Sequence, residues 1–206
     1  MHTRRQHAGF SLVELVVALA VAAVLLGVGV PSFTAALKDA RIGAQYSQAV
    51  RSLLLARSEA VKSGQFVVVC SRSAPGSEQC GDADDWSNGW IVYIDDDSEI
   101  DDAAVIGAED TLLSLEPALK GTNTVAAFAS LSNGDDPKEV AHVRYLPRGS
   151  TNWKAGSIVI CDTDRGSVDS RVLNVRLTGA IQAGQVAAGE TIPRDAFNSP
   201  IDCGAS

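Results

Sequence analysis

Histidine is scarce in this chain: of the three present, His2 and His7 fall at the extreme N-terminus and only His142 lies in the body of the sequence. That excludes catalytic designs built on several histidines, and a single His beside Val143 and Tyr145 reads as a packed strand residue. G-x-S-x-G, P-loop and H-E-x-x-H patterns are missing, and Gly27-Val28-Gly29 lies in an apolar run with no strand before it. No evident nucleophile and base pair remains, so an enzyme is not expected. Basic residues are also in deficit, 17 Lys and Arg against 25 Asp and Glu, for a formal net charge of −8. Such a field does not draw polyphosphate, and nucleic-acid binding would need a local basic patch that composition does not reveal. None of the four cysteines sits in a C-x₂₋₄-C pair, which argues against zinc. There is no low-complexity linker and no internal repeat. With 206 residues, 46% hydrophobic and 20% charged, the chain reads as one folded domain plus an extra segment.

That segment is at the N-terminus. Residues 10–30 are apolar except for Ser11 and Glu14, a stretch long enough to span a bilayer. Before it stand Arg4 and Arg5, a positive flank that holds the N-terminal side in the cytoplasm and places the rest outside. An ordinary secretory signal fits poorly, because the nearby Ala18-Leu19-Ala20 lies inside the apolar run instead of after it. A plain anchor fits the length but gives no reason for Glu14, since a carboxylate near a bilayer centre costs about 2.5 to 3.5 kcal/mol on insertion scales.

Gly9-Phe10-Ser11-Leu12-Val13-Glu14 resembles the type IV prepilin signature. The resemblance implies that a prepilin peptidase cuts between Gly9 and Phe10 on the cytoplasmic side, and that the new amine on Phe10 is methylated. It also implies that Glu14 pairs with an N-terminal amine as subunits pack into a fibre, so that two ions costly in lipid neutralise one another. Pro31 matches the family as well. Loss of a 1–9 leader removes Arg4 and Arg5 but no acidic residue, so the mature chain is more acidic still.

Beyond Pro31 the pattern turns periodic, with Tyr46, Val50, Leu53, Leu54 and Val61 at helical spacing and Gln45, Gln48, Arg51, Ser52 and Ser58 between them. One helix is expected from Phe10 to about Ser63, stopped by Gly64, with a bend or local melting at Pro31. Short β-branched or aromatic runs follow at residues 66–70, 89–95, 141–146, 157–161 and 171–177, separated by Gly, Pro, Ser and Asp. The expected class is α+β: a long N-terminal helix whose apolar half (residues 10–33) protrudes, and whose amphipathic half packs on an antiparallel sheet in a globular domain of residues 34–206.

Three further segments, Leu54-Leu55-Ala56-Arg57-Ser58-Glu59-Ala60-Val61, Phe66-Val67-Val68-Val69-Cys70-Ser71 and Trp86-Ser87-Asn88-Gly89-Trp90-Ile91-Val92-Tyr93, look like the FimT/FimU/GspH group of minor pilins and pseudopilins. Trp86 and Trp90 flank a turn and can lock a strand onto the apolar face of the helix; the alternative is a stacking platform for bases or sugars. Some FimT relatives contact DNA through a C-terminal Gly-Arg-x-Arg stretch, whereas the corresponding place here reads Thr178-Gly179-Ala180-Ile181-Gln182, without either arginine. DNA binding is therefore not expected, although Arg144, Arg148, Lys154, Arg165, Arg171 and Arg176 could gather on one sheet face.

Export makes disulfides the default for Cys70, Cys80, Cys161 and Cys203. Four cysteines allow three connectivities; Cys70–Cys80 with Cys161–Cys203 staples the most chain with the least crossing and is the expected one. The acidic run from Asp95 invites a calcium reading, with Asp95, Asp97 and Asp101 as candidate ligands, but Ile100 stands where an EF-hand glycine would be. No other cofactor is expected. The resemblance implies a minor pilin near the tip of a type IV pilus, helping to start assembly; the alternatives are a minor pseudopilin of a type II secretion system and a DNA-binding competence subunit displayed on the pilus. Its partners would be other pilins or pseudopilins, the prepilin peptidase, the inner-membrane assembly platform and, before assembly, membrane lipid. The domain after the helix would lie in the periplasm.

Overall fold

The computed structural model describes residues 11–96, 106–132 and 136–203. Its first element, α1 (Leu12–Ser63), is helical throughout. By contact density the chain divides into two units, Met1–Ala40 and Arg41–Ser206.

In the first unit Ser11 starts the helix. Its hydroxyl accepts the Glu14 N–H at 3.2 Å and its carbonyl accepts the Leu15 N–H at 3.1 Å, the pattern of a serine N-cap. Every described side chain from Leu12 to Leu37 is exposed, apolar ones included. Pro31 does not melt the helix as the sequence suggests. Proline removes one donor from the ladder, and the surrounding hydrogen bonds keep the backbone helical, while Thr34 Oγ1 donates back to the Pro31 carbonyl at 2.9 Å.

The second unit is built on the rest of α1 and two antiparallel sheets. The strands are β1 (Phe66–Ser71), β2 (Trp90–Asp95), β3 (Thr111–Leu115), β4 (Asn123–Ser130), β5 (Lys138–Glu139), β6 (His142–Tyr145), β7 (Ala155–Asp162), β8 (Gly166–Arg176) and β9 (Ile181–Ala183). One sheet has the order β3-β2-β1-β6 and the other β5-β4-β7-β8-β9, where the sequence led us to expect a single sheet. Strand alternation divides their faces. Val67 and Val69 of β1, Trp90 and Val92 of β2, Val143 and Tyr145 of β6, Ile158 and Ile160 of β7, and Leu173 and Val175 of β8 enter one core with α1. Val68, Cys70, Ile91 and Tyr93 form a second cluster on the other face of the first sheet, and Val159, Cys161, Val172 and Ile201 a third on the other face of the second.

The buried stripe of α1 is also not the one the periodicity picks out. Ile42, Gln45, Ala49, Ser52, Leu53, Ala56 and Ala60 are buried, whereas Leu54 and Val61 are exposed by half or more. The spacing is still helical, but alanines carry it, because small side chains let the helix axis approach the sheets closely. Gly64, at φ 72°, ends α1 with its N–H on the Ala60 carbonyl, a left-handed stop that favours glycine.

Candidate functional site

The chemistry expected at the N-terminus falls partly outside the described residues, since Gly9 and Phe10 lie there. Glu14 is described. It sits exposed in the first turn of α1, where the helix dipole favours a negative charge, and among the described residues it has no ion-pair partner. Around it Leu12, Val13, Leu15, Val16 and Val17 are each more than half exposed. The helix is long and apolar enough to cross a membrane, with a window of mean hydropathy 2.6. A helix apolar on all sides needs lipid or other apolar helices around it. What this segment can do chemically is bury itself and supply one carboxylate.

In the second unit the polar residues of the α1 stripe act as anchors. Trp90 Nε1 donates to Ser52 Oγ at 2.9 Å in the interior, joining β2 to the helix. Glu116, after β3, accepts from Gln48 Nε2 at 2.6 Å and from Ser114 Oγ at 2.8 Å, and its carbonyl accepts from Arg72 Nη1 at 3.0 Å. Gln45 donates to the Lys120 carbonyl at 3.2 Å and accepts from Asn123 Nδ2. Trp86 lies in the 3₁₀ helix Ala83–Asn88 and donates to the Val140 carbonyl at 2.7 Å. Both Trp86 and Trp90 are buried, which removes the stacking platform and leaves the locking role. A third tryptophan, Trp153, went unnoticed in the sequence. It is fully buried, donates to the His142 carbonyl at 3.1 Å, and packs so tightly on Gly156 that a Cβ there would meet its ring at 2.3 Å. Its flanking residues, Asn152 and Lys154, gave no apolar pattern to find it by.

Cys70 is bridged to Cys80 and Cys161 to Cys203. The first closes the hairpin after β1; the second ties the C-terminal tail to β7. Of the calcium candidates, Asp97 and Asp101 lie outside the described residues. Asp95 is buried at the end of β2 and pairs with Arg144 Nη2 of β6 at 2.8 Å, so a cation already holds it. Arg144 also lies over the Phe66 ring, 5.9 Å from its centroid. Among the described residues no group of three His, Cys, Asp or Glu side chains is arranged to hold a metal ion.

His142 is half-buried and lines a recess of about 590 Å³ together with Asp82, Asp85 and Asn152. Burial pushes its pKa below the usual histidine value, and the Arg144 charge adds to the fall. Glu139, by contrast, is raised by desolvation and by a hydrogen bond to Asp84. The basic residues do not gather on one face. Arg144 is buried in its ion pair, Arg165 is engaged by Asp162 at 2.7 Å, and Arg171 donates to the Ser170 carbonyl. Lys154 and Arg176 do line one cavity. Ala180 and Gln182 follow a turn in which the Gly179 N–H reaches the Arg176 carbonyl, and Arg57 of α1 holds that turn by donating to the Thr178 carbonyl at 3.2 Å.

A long apolar helix with a single carboxylate in its first turn, continuing into a unit of helix and antiparallel sheets, defines a pilin-like subunit. The chain belongs to the family described as Type II transport protein GspH, whose profile matches residues 46–180. The prokaryotic N-terminal methylation motif matches residues 4–30. The chain is thus a member of the minor pilin and pseudopilin group, carrying the apolar N-terminal helix of a membrane-anchored subunit. The type IV minor pilin FimU of Pseudomonas aeruginosa is similar in fold, with a TM-score of 0.51 at 18% identity, covering 81% of this chain and 97% of that one. The minor pseudopilin EpsH from the Type 2 Secretion System of Vibrio cholerae aligns at a TM-score of 0.44 and 14% identity, over 73% of this chain and 99% of that one. No curated protein sequence matches the chain.

Proposed function

We propose that this protein is a structural subunit, without catalytic activity or cofactor, that is incorporated near the tip of a type IV pilus and helps to start its assembly. Before assembly it is held in the inner membrane by residues 10–33, with residues 34–206 in the periplasm. The prepilin peptidase cleaves at Gly9-Phe10, and the assembly platform moves the subunit from lipid into contact with other pilins. The observation that carries this reading is Glu14, exposed and without an ion-pair partner among the described residues, in the apolar N-terminal segment of α1. A charge so placed is a liability in lipid and an asset where a neighbour's N-terminal amine can neutralise it.

Two measurements test the reading. Intact mass of membrane-derived protein should show a chain beginning at a methylated Phe10; a start at Met1, or after Ala20, contradicts it. Glu14→Gln should insert into the membrane at least as well as wild type yet fail to enter fibres, and normal incorporation of that variant removes the role given to Glu14. The second reading, a minor pseudopilin of a type II secretion system, is supported by the family description itself. Deletion separates the two: loss of surface pili with secretion intact favours the pilus, and the reverse favours the secretion machine.

A further inference from the structure

A cavity of about 640 Å³ lies between the ends of β7, β8 and β9 and the C-terminal segment at residues 185–198. That volume falls inside the ~300–1,000 Å³ range of small-molecule sites. Asn174 and Arg176 alternate along β8 with Leu173 and Val175, which enter the main core, so both project from the opposite face of the sheet into this space. Arg176 pairs in register with Ala155, and the neighbouring Lys154 lines the same cavity. Gln182 Oε1 accepts from Arg176 Nε at 3.0 Å, which orients the guanidinium without spending its other donors.

The charge here runs against the rest of the molecule. Arg194 is matched by Glu190, and the Asp195 carboxylate accepts the N–H groups of Phe197 and Ser199. Lys154 and Arg176 are left as exposed cations with no carboxylate partner among the described residues, in a chain of formal net charge −8. The Asn174 carboxamide is held within the fold, accepting from Ser157 Oγ and donating to the Arg194 carbonyl, so the carboxamides that the wall offers a ligand are those of Gln182 and Gln185, with Val186 as an apolar surface beside them. Carboxamides both donate and accept, as sugar hydroxyls do, whereas the carboxylates of an acidic peptide only accept. Duplex DNA is a poor match, because a concave site with two free cations neutralises few phosphates.

We propose that this cavity is a binding site for an anionic saccharide, a sugar bearing a carboxylate or a phosphate whose charge lies between Lys154 and Arg176 while the carboxamides take its hydroxyls. The site is independent of the assembly reading, since no residue of the apolar segment contributes to it.

Calorimetric titration of the full-length protein in detergent micelles tests it, with trigalacturonate and glucose 6-phosphate as the two charged probes. At least one should saturate below ~1 mM, with neutral maltotriose and hexaglutamate each at least about tenfold weaker. A response to trigalacturonate alone assigns the source to uronate polysaccharide, and a response to the phosphate alone to phosphorylated sugar. Lys154→Gln combined with Arg176→Gln should weaken binding at least about tenfold. Arg171→Gln, an exposed cation outside the cavity, should not, and far-UV circular dichroism checks that each variant is folded. Absence of saturation with both charged probes, binding unchanged in the folded double variant, or hexaglutamate binding as well as the sugars would each overturn the proposal.

Discussion

Trp90 shows how much of this fold rests on single side chains. Its ring is buried between α1 and the first sheet, and its indole N–H ends on the buried Ser52 Oγ, which in turn donates to the Gln48 carbonyl. Trp90→Phe keeps most of the ring volume but strips that donor, and should cost about 1–3 kcal/mol; Trp90→Ala also opens a cavity and should cost about 3–5 kcal/mol. Urea unfolding of the two variants measures both losses, and a Trp90→Phe variant as stable as wild type would mean that the hydrogen bond contributes nothing. His142 makes a second prediction at this scale. Its folded pKa lies below the ordinary 6.5, so between the two values the unfolded chain binds more protons than the folded one. Its contribution to stability is therefore complete above pH 6.5 and is lost as the pH falls through that value toward the folded pKa. His142→Gln should flatten this part of the stability profile relative to wild type, and a profile unchanged by the substitution would show that another group controls it.

At the scale of elements, what could be read in the sequence was whatever local pattern decides. The helix from Leu12 to Ser63, its stop at Gly64 and the strands β1, β2, β6, β7 and β8 follow from apolar periodicity and β-branched runs. β4 escaped because Ala126, Ala127 and Ala129 have weak strand propensity, even though Asn123, Val125, Ala127 and Ala129 are buried at strict alternation. β5 and β9 are too short to show a period, and they exist through pairing with β4 and β8. The α1 face was misread for a related reason: apolarity pointed to Leu54 and Val61, while burial goes to small residues and to Gln45 and Ser52, whose partners come from far along the chain. The tail after β9 has little apolar contact of its own. It is held by Ile201, by the Ala196 N–H on Ser157 Oγ and by the Cys161–Cys203 bridge. Replacing both cysteines of that bridge with serine should cost about 2–5 kcal/mol and make the chain after residue 184 the first point of proteolysis. Loss of the Cys70–Cys80 bridge should cost a similar amount without that shift in cleavage site. Limited proteolysis with mass mapping distinguishes the two, and identical cleavage patterns would contradict the assigned role of the tail bridge.

For the whole molecule, the question is whether anything on this chain could make it a DNA receptor. Affinity for duplex DNA scales with the number of phosphates neutralised, and the salt slope follows at about −0.9 per contact. The formal charge is −8, and two of the cations that the sequence offered are consumed inside the fold, Arg144 by Asp95 and Arg165 by Asp162, while Arg194 is paired with Glu190 at the surface. The turn at Thr178 and Gly179 is held on α1 by Arg57, and Ala180 and Gln182, which follow it, carry no charge. Binding of the full-length protein to duplex DNA should therefore be negligible at ordinary salt. Micromolar binding that weakens steeply as salt rises would overturn this and direct mutagenesis to Lys154 and Arg176, the exposed cations that share one cavity. The double variant Ala180→Arg, Gln182→Arg separates charge from shape. If the backbone of the turn already suits a phosphate strand, adding two charges should bring measurable affinity and a salt slope about two contacts steeper. If affinity does not rise although the variant is folded, the geometry that Arg57 imposes on the turn, and not only the missing charge, keeps this subunit from DNA.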